Sequence, residues 1–237
     1  MNGFYEQDLA DIHADAFEAL AAAASETLLK VLPVGAPSKR VLDLGCGAGP
    51  LSQRLGARGF STWGLDLSPA LIALARKRMP QAEFHCGSVL EAEFPQAVAV
   101  AAAGEVFNYA TARQADGLSR VFRRVFDALE PEGVFLFDLA GPGRVGAGRG
   151  FTEAASWAVG LIAEESGDEL VRKITTFRDA GDGVWSRSYE EHRLRLWPVA
   201  EVMTQLVSCG FRVEELPGYD GMAMPPSLHV YLAVKPG

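Results

Sequence analysis

The chain has 237 residues, 49% hydrophobic and 22% charged, the composition of a globular protein with a sizeable core, which excludes a disordered chain. Its formal charge of −8 argues against duplex DNA and anionic membranes, since both demand a cationic surface. Cys46, Cys86 and Cys209 are far apart and form no CxxC, so neither a metal cluster nor a disulfide framework is expected.

The first residues, MNGFYEQDLADIH, carry no cationic segment followed by an apolar one, so no leader is expected. Leu9, Ile12, Ala16 and Leu20 recur at helical steps until Pro33 stops the pattern, which predicts a helix or helix pair over 7–31. Residues 40–140 then alternate short apolar runs with amphipathic stretches, the pattern of parallel strands joined by helices. Strands are predicted at 40–44, 62–67, 83–86, 98–103 and 134–139, with helices near 50–58, 69–79 and 114–129. The apolar run from Ala97 to Ala103 is far too short to cross a bilayer, so no membrane contact and a cytoplasmic location are expected.

Beyond Gly141 the rhythm changes. A glycine-rich piece at 141–150 leads into strand-like runs near 157–165, 169–178 and 184–196, separated by Ser166-Gly167-Asp168 and Gly181-Asp182-Gly183. An antiparallel meander over the parallel sheet is the expectation. A helix at 199–209 ends at Gly210, and strands follow at 211–216 and 228–234. The predicted fold is α/β: a doubly wound, mostly parallel seven-stranded sheet with an N-terminal helical segment and an inserted meander. The expected organisation is a helical cover over 1–38, a cofactor-binding domain over 39–141 and 198–237, and the meander over 142–197.

The sharpest signal is Val41-Leu-Asp-Leu-Gly-Cys-Gly-Ala-Gly-Pro50, a buried strand running into Gly45-x-Gly47-x-Gly49 and then a helix. Glycines there let the backbone turn tightly and approach a ligand, and the helix start offers free N–H groups. The dinucleotide fingerprint needs its third glycine where Pro50 stands, and proline removes an N–H from that place. Asp66 ends the next strand 17 residues after Gly49, where a carboxylate can accept both hydroxyls of a ribose.

With these motifs in order, followed by Cys86-Gly87-Ser88-Val89 and Glu130-Pro131-Glu132-Gly133, the chain resembles the class I S-adenosylmethionine-dependent methyltransferases. The resemblance implies S-adenosyl-L-methionine as cofactor. It places Asp43 and Gly45 near the methionine part, Asp66 near the ribose and Ser88 with Val89 near adenine, with Cys46, Gly47, Leu67 and Gly104 as further candidate cofactor-binding residues. Serine stands at 88 where the family usually has aspartate, and a hydroxyl also accepts, less strongly than a carboxylate. A cofactor-binding module without catalysis is the competing reading. A nicotinamide oxidoreductase is the third, and Pro50 speaks against it.

The fourth strand ends in Ala103-Gly-Glu-Val-Phe-Asn-Tyr109, beyond strand C-termini where ligands of open α/β sheets bind. Asn-Pro-Pro-Tyr and Pro-Cys are absent there, which disfavours nucleic-acid methylation; a small-molecule acceptor methylated at N or O is expected, with a homodimer left open. Four residues are candidates for a general base: His13, Glu105, Tyr109 and His192. Each has a bland alternative: His13 on an apolar helical stripe, Glu105 as a first-turn acid, Tyr109 as helix start, His192 on a strand face with Glu190 and Leu194. Trp157, Trp185, Tyr189 and Trp197 are expected to pack the meander, and Arg187, Arg193 and Arg195 to form a solvated ladder with Glu191.

Overall fold

The computed structural model describes residues 17–33, 38–111, 114, 116–146 and 148–237. Strands β1 (Arg40–Leu44), β2 (Ser61–Asp66), β3 (Glu83–Cys86), β4 (Ala97–Ala102), β5 (Leu129–Ala140), β10 (Arg212–Leu216) and β11 (Leu228–Val234) form one sheet in the order β10-β11-β5-β4-β1-β2-β3. β1 pairs in parallel with β2 and β4, β2 with β3, and β4 with β5, whereas β11 runs antiparallel to β5 and β10. Helices α1 (Glu18–Val31), α2 (Pro50–Ala57), α3 (Pro69–Arg78), α4 (Val106–Ala110), α5 (Gly117–Ala128) and α6 (Val199–Cys209) complete it.

Strand alternation explains why both faces are covered. Leu42, Leu44, Val100, Phe135 and Phe137 point to one side and pack with Val121, Phe122 and Val125 of α5 and Val202 and Leu206 of α6. Val41, Ala99, Ala101, Val134 and Leu136 point to the other and meet Ala21, Ala24 and Leu28 of α1 and Leu51 and Leu55 of α2. The alanines of β4 are small where α1 presses closest. Phe135 and Phe137 stack at 4.3 Å, and Phe107 of α4 meets both edge-on. Gly49 (φ +80°) and Pro50 start α2, while the Ser68 hydroxyl accepts the Leu71 N–H at 3.2 Å and Pro69 takes the first helical position of α3.

The second sheet is a four-stranded meander, β6 (Arg149–Ala154), β7 (Trp157–Ser166), β8 (Glu169–Gly181) and β9 (Val184–Arg195). Its first strand lies inside and just after the glycine-rich piece read as a lead-in. All six residues of β6 are exposed, so no apolar alternation marks it. Two further differences have local causes. Glu130-Pro-Glu-Gly133 is an irregularity within β5, with Glu132 at φ +59° and the register slipping between Ala97 and Ala99, rather than a turn before a shorter strand. Trp185 and Tyr189 are 48% and 51% exposed instead of packed, while Trp197 leaves the meander, is fully buried against the main sheet and donates to Thr111 Oγ1 at 3.0 Å. The meander departs and returns at one place: the Trp197 N–H donates to the Ala140 carbonyl at 3.0 Å.

Candidate active site

Strand order reverses between β1 and β4, and the loops leaving these two strands close on one another there. A Cβ on Gly45 would lie 2.4 Å from Val106 Cγ2, so only glycine permits the approach. Gly45 and Cys46 donate their N–H groups to the Leu65 carbonyl, tying the loop to β2. Gly47 (φ +53°) has no heavy atom within 4 Å of its Cβ position, which leaves a cradle of bare backbone.

Two buried carboxylates flank that cradle. Asp66 Oδ2 accepts the Gly47 N–H at 2.9 Å and Oδ1 the Ser68 N–H at 2.8 Å. Burial raises its pKa, and the backbone donors of Ser68 and Gly47 pull it part of the way back. Asp43 Oδ2 accepts the Ser52 N–H at 3.1 Å and hydroxyl at 2.7 Å; burial still pushes its pKa up to about 6. The Cys46 thiol, pushed well up by burial and by Asp43 and Asp66, is inert packing. Leu67, by contrast, is 54% exposed, an apolar shelf beside Asp66.

The Ser88 hydroxyl accepts the Leu90 N–H at 3.2 Å and so shapes the turn after β3, and the Val89 side chain is buried in the core. No helix joins β3 to β4, and a cleft of about 720 Å³ runs along that edge over Trp63, His85 and Phe94, reaching Gly87 and Ser88 at its rim. Its lining mixes polar and apolar residues and extends from Arg40 and Pro95 to Cys86 and Ser88 at the end of β3.

Across the crevice, Asp138 organises the loop after β4. This fully buried carboxylate takes the Gly104 N–H (2.8 Å), the Glu105 N–H (2.6 Å) and the Tyr219 hydroxyl (2.8 Å). Burial lifts its pKa to about 6 despite these donors. The grip holds Glu105 in the left-handed region at φ +62°. Gly104 is pressed by the Phe17 ring, 3.0 Å from where a Cβ would stand.

Glu105 is 5% exposed and accepts from two arginines. Arg144 Nε lies 2.7 Å from Oε1, and Arg172 reaches Oε2 through Nη1 and Oε1 through Nη2. Burial pushes the carboxyl up, but Arg172 and then Arg144 outweigh it, and its pKa ends below the ordinary value. A general-base role for Glu105 therefore does not fit: both oxygens are committed and the proton affinity is reduced. Its location at the strand end agrees with the sequence, and its work is that of a counter-ion.

Arg172 Nη1 also donates to the Tyr109 hydroxyl at 2.9 Å, and Tyr109 meets the His192 ring edge-on at 5.7 Å. His192, 2% exposed, stands opposite Arg172 in the β8–β9 register, with Nε2 2.8 Å from Glu190 Oε2. Glu105, Tyr109 and His192 thus come together; His13 lies outside the described residues. Asn108 bridges the two sheets, donating to the Ala140 and Arg195 carbonyls. Arg193 does form the exposed ladder, with Glu169 and Glu191, whereas Arg195 stacks on Trp197 at 4.1 Å. Asp138, Arg144 and Arg172 escaped the sequence reading. A lone aspartate inside Val134–Ala140 was the available signal for the first. Among the described residues no His, Cys, Asp and Glu cluster could hold a metal ion, and no helix is long and apolar enough to cross a membrane.

Residues 41–133 match the family model described as a methyltransferase domain. Over those residues the chain is similar to S-adenosylmethionine-dependent methyltransferases, whose fold it shares. "Putative methyltransferase YqeM" of Bacillus subtilis (strain 168) is 26% identical over 79% of this chain and 79% of its own length. Two solved structures share the fold. An S-adenosylmethionine-dependent methyltransferase from Clostridium acetobutylicum ATCC 824 matches with TM-score 0.81 at 18% identity, covering 96% of this chain and 99% of that one. The sugar N-methyltransferase KedS8 from Streptoalloteichus sp ATCC 53650 matches with TM-score 0.81 at 20% identity, covering 100% and 96%. The chain's own residues leave room for such a cofactor: a glycine cradle with free space above Gly47, the Asp66 carboxylate at its edge, and the exposed Leu67 side chain.

Proposed function

We propose that the chain methylates nitrogen or oxygen of a small-molecule acceptor held between the ends of β4 and β5 and the inner face of the meander. The observation that carries this reading is the meeting of the Asp66 cradle with a separate polar cluster, Glu105, Tyr109, Arg172 and His192, across one crevice. Bound cofactor supplies an activated methyl group, so the protein's task is alignment and exclusion of water.

Asp66 would hold the ribose hydroxyls, the Gly45–Gly47 backbone the chain bearing the sulfur, and Leu67 one face of the adenine. On the acceptor side His192 is the group suited to a proton. Its Nε2 lies 2.8 Å from Glu190 Oε2. Tyr109, held by Arg172, packs against that ring and fixes its plane. An overall negative chain favours a metabolite over nucleic acid.

The test is calorimetric binding of S-adenosylhomocysteine followed by transfer of label from S-adenosylmethionine into a metabolite pool. Binding with reproducible transfer to a low-mass product supports the reading. Binding without transfer to any pool favours the non-catalytic module, and no binding removes both.

A further inference from the structure

We propose that Arg144 is the receptor for an anionic group, carboxylate or phosphate, on the acceptor, with Glu105 and Arg172 as the residues that position it. This deepens the reading above and rests on it. A guanidinium carries five N–H donors in a rigid fork suited to two oxygens at once. Arg144 spends Nε on Glu105, and among the described residues its terminal nitrogens meet no hydrogen-bond partner, although the side chain is only 21% exposed. Donors held partly out of water at the mouth of a crevice, aimed by a buried carboxylate, are the components of an anion site.

Two arginines share one glutamate. Neighbouring carboxylates are occupied elsewhere. Asp138 is taken up by Gly104, Glu105 and Tyr219, and Glu165 accepts the N–H groups of Gly143 (2.7 Å) and Val145 (3.0 Å). That last pair of bonds grips the backbone on both sides of Arg144 and fixes the loop that presents it. A cationic amine is disfavoured at the same place, because both Glu105 oxygens already face guanidinium groups.

The experiment is calorimetry on the full chain saturated with S-adenosylhomocysteine, titrated at constant ionic strength with succinate, inorganic pyrophosphate and neutral succinamide. Succinate or pyrophosphate should bind and succinamide should not, and which anion binds tells carboxylate from phosphate. Arg144→Gln should weaken that binding by about tenfold or more, equivalent to about 1.4 kcal/mol, with unchanged affinity for S-adenosylhomocysteine. Arg144→Lys should retain part of it. Equal binding of all three probes, no binding of either anion to the native chain, or an unaltered Arg144→Gln variant overturns the proposal. Failure of the native chain to take up S-adenosylhomocysteine would instead strike the cofactor reading beneath it, and the two failures are therefore told apart.

Discussion

Replacing Asp66 by asparagine separates cofactor binding from folding. The asparagine carbonyl can keep the Ser68 N–H now at 2.8 Å, but the amide nitrogen then faces the Gly47 N–H now at 2.9 Å, donor against donor. The cradle opens and the charged acceptor for two ribose hydroxyls is gone. Hydrogen bonds to a charged group contribute roughly 1.5–3 kcal/mol each, and one weaker acceptor survives, so the expected loss of affinity is about 2–4 kcal/mol, or roughly 30- to 1000-fold. Folding should change far less, by about 1 kcal/mol, because the same substitution removes an ionised group that burial disfavours. Calorimetry with S-adenosylhomocysteine measures the first quantity and urea denaturation without ligand the second. An affinity within about threefold of the native chain would refute the assignment of Asp66 to the ribose, and an equal loss in both measurements would make it a purely structural acid.

Asp138 predicts a pH dependence. Its pKa rises from 3.8 unfolded to about 6 folded, so the native state binds the extra proton between those values. Its contribution is fully present below about pH 4 and is lost as pH rises through about 6. From pH 7.5 to pH 5 the native chain should gain about 1 kcal/mol relative to Asp138→Asn in urea denaturation, and a pH-independent difference would contradict this. Glu105→Gln should leave two guanidinium groups facing each other and cost about 3–5 kcal/mol of stability, read as a lowered urea midpoint; an unchanged midpoint would deny the ion pairs any weight. Gly45→Ala, whose methyl would meet Val106 at 2.4 Å, should abolish stable folding. Gly47→Ala meets nothing, so it should cost only about 1 kcal/mol of stability for its positive φ while filling the cradle and abolishing cofactor binding.

The main sheet was legible because its strands are buried on both faces and read as unbroken apolar runs, and because glycine and proline punctuate each turn. Val41–Gly49 and Asp66 could be placed on the same ground, since the chemistry of the cradle is local in sequence. The acceptor side was not. Glu105, Arg144, Arg172 and His192 are spread over four segments, and the folded chain brings the two arginines to hydrogen-bond distance of Glu105 and the His192 ring against Tyr109. The proton affinity of Glu105 is lowered by two arginines 39 and 67 positions away, which no local pattern could reveal. The exposed β6 and the outward Trp185 show the same limit from the other side, because an edge strand leaves no burial pattern to read.

The bond between the Trp197 N–H and the Ala140 carbonyl means that the insertion begins and ends on adjacent backbone. The cassette enters and leaves its host at one point and is held to it by Arg172 on Glu105 and by the Arg195 carbonyl on Asn108. Asp43 and Asp66 lie before it in the chain and Arg172 and His192 within it, so a graft between relatives would replace the second pair and leave the first in place.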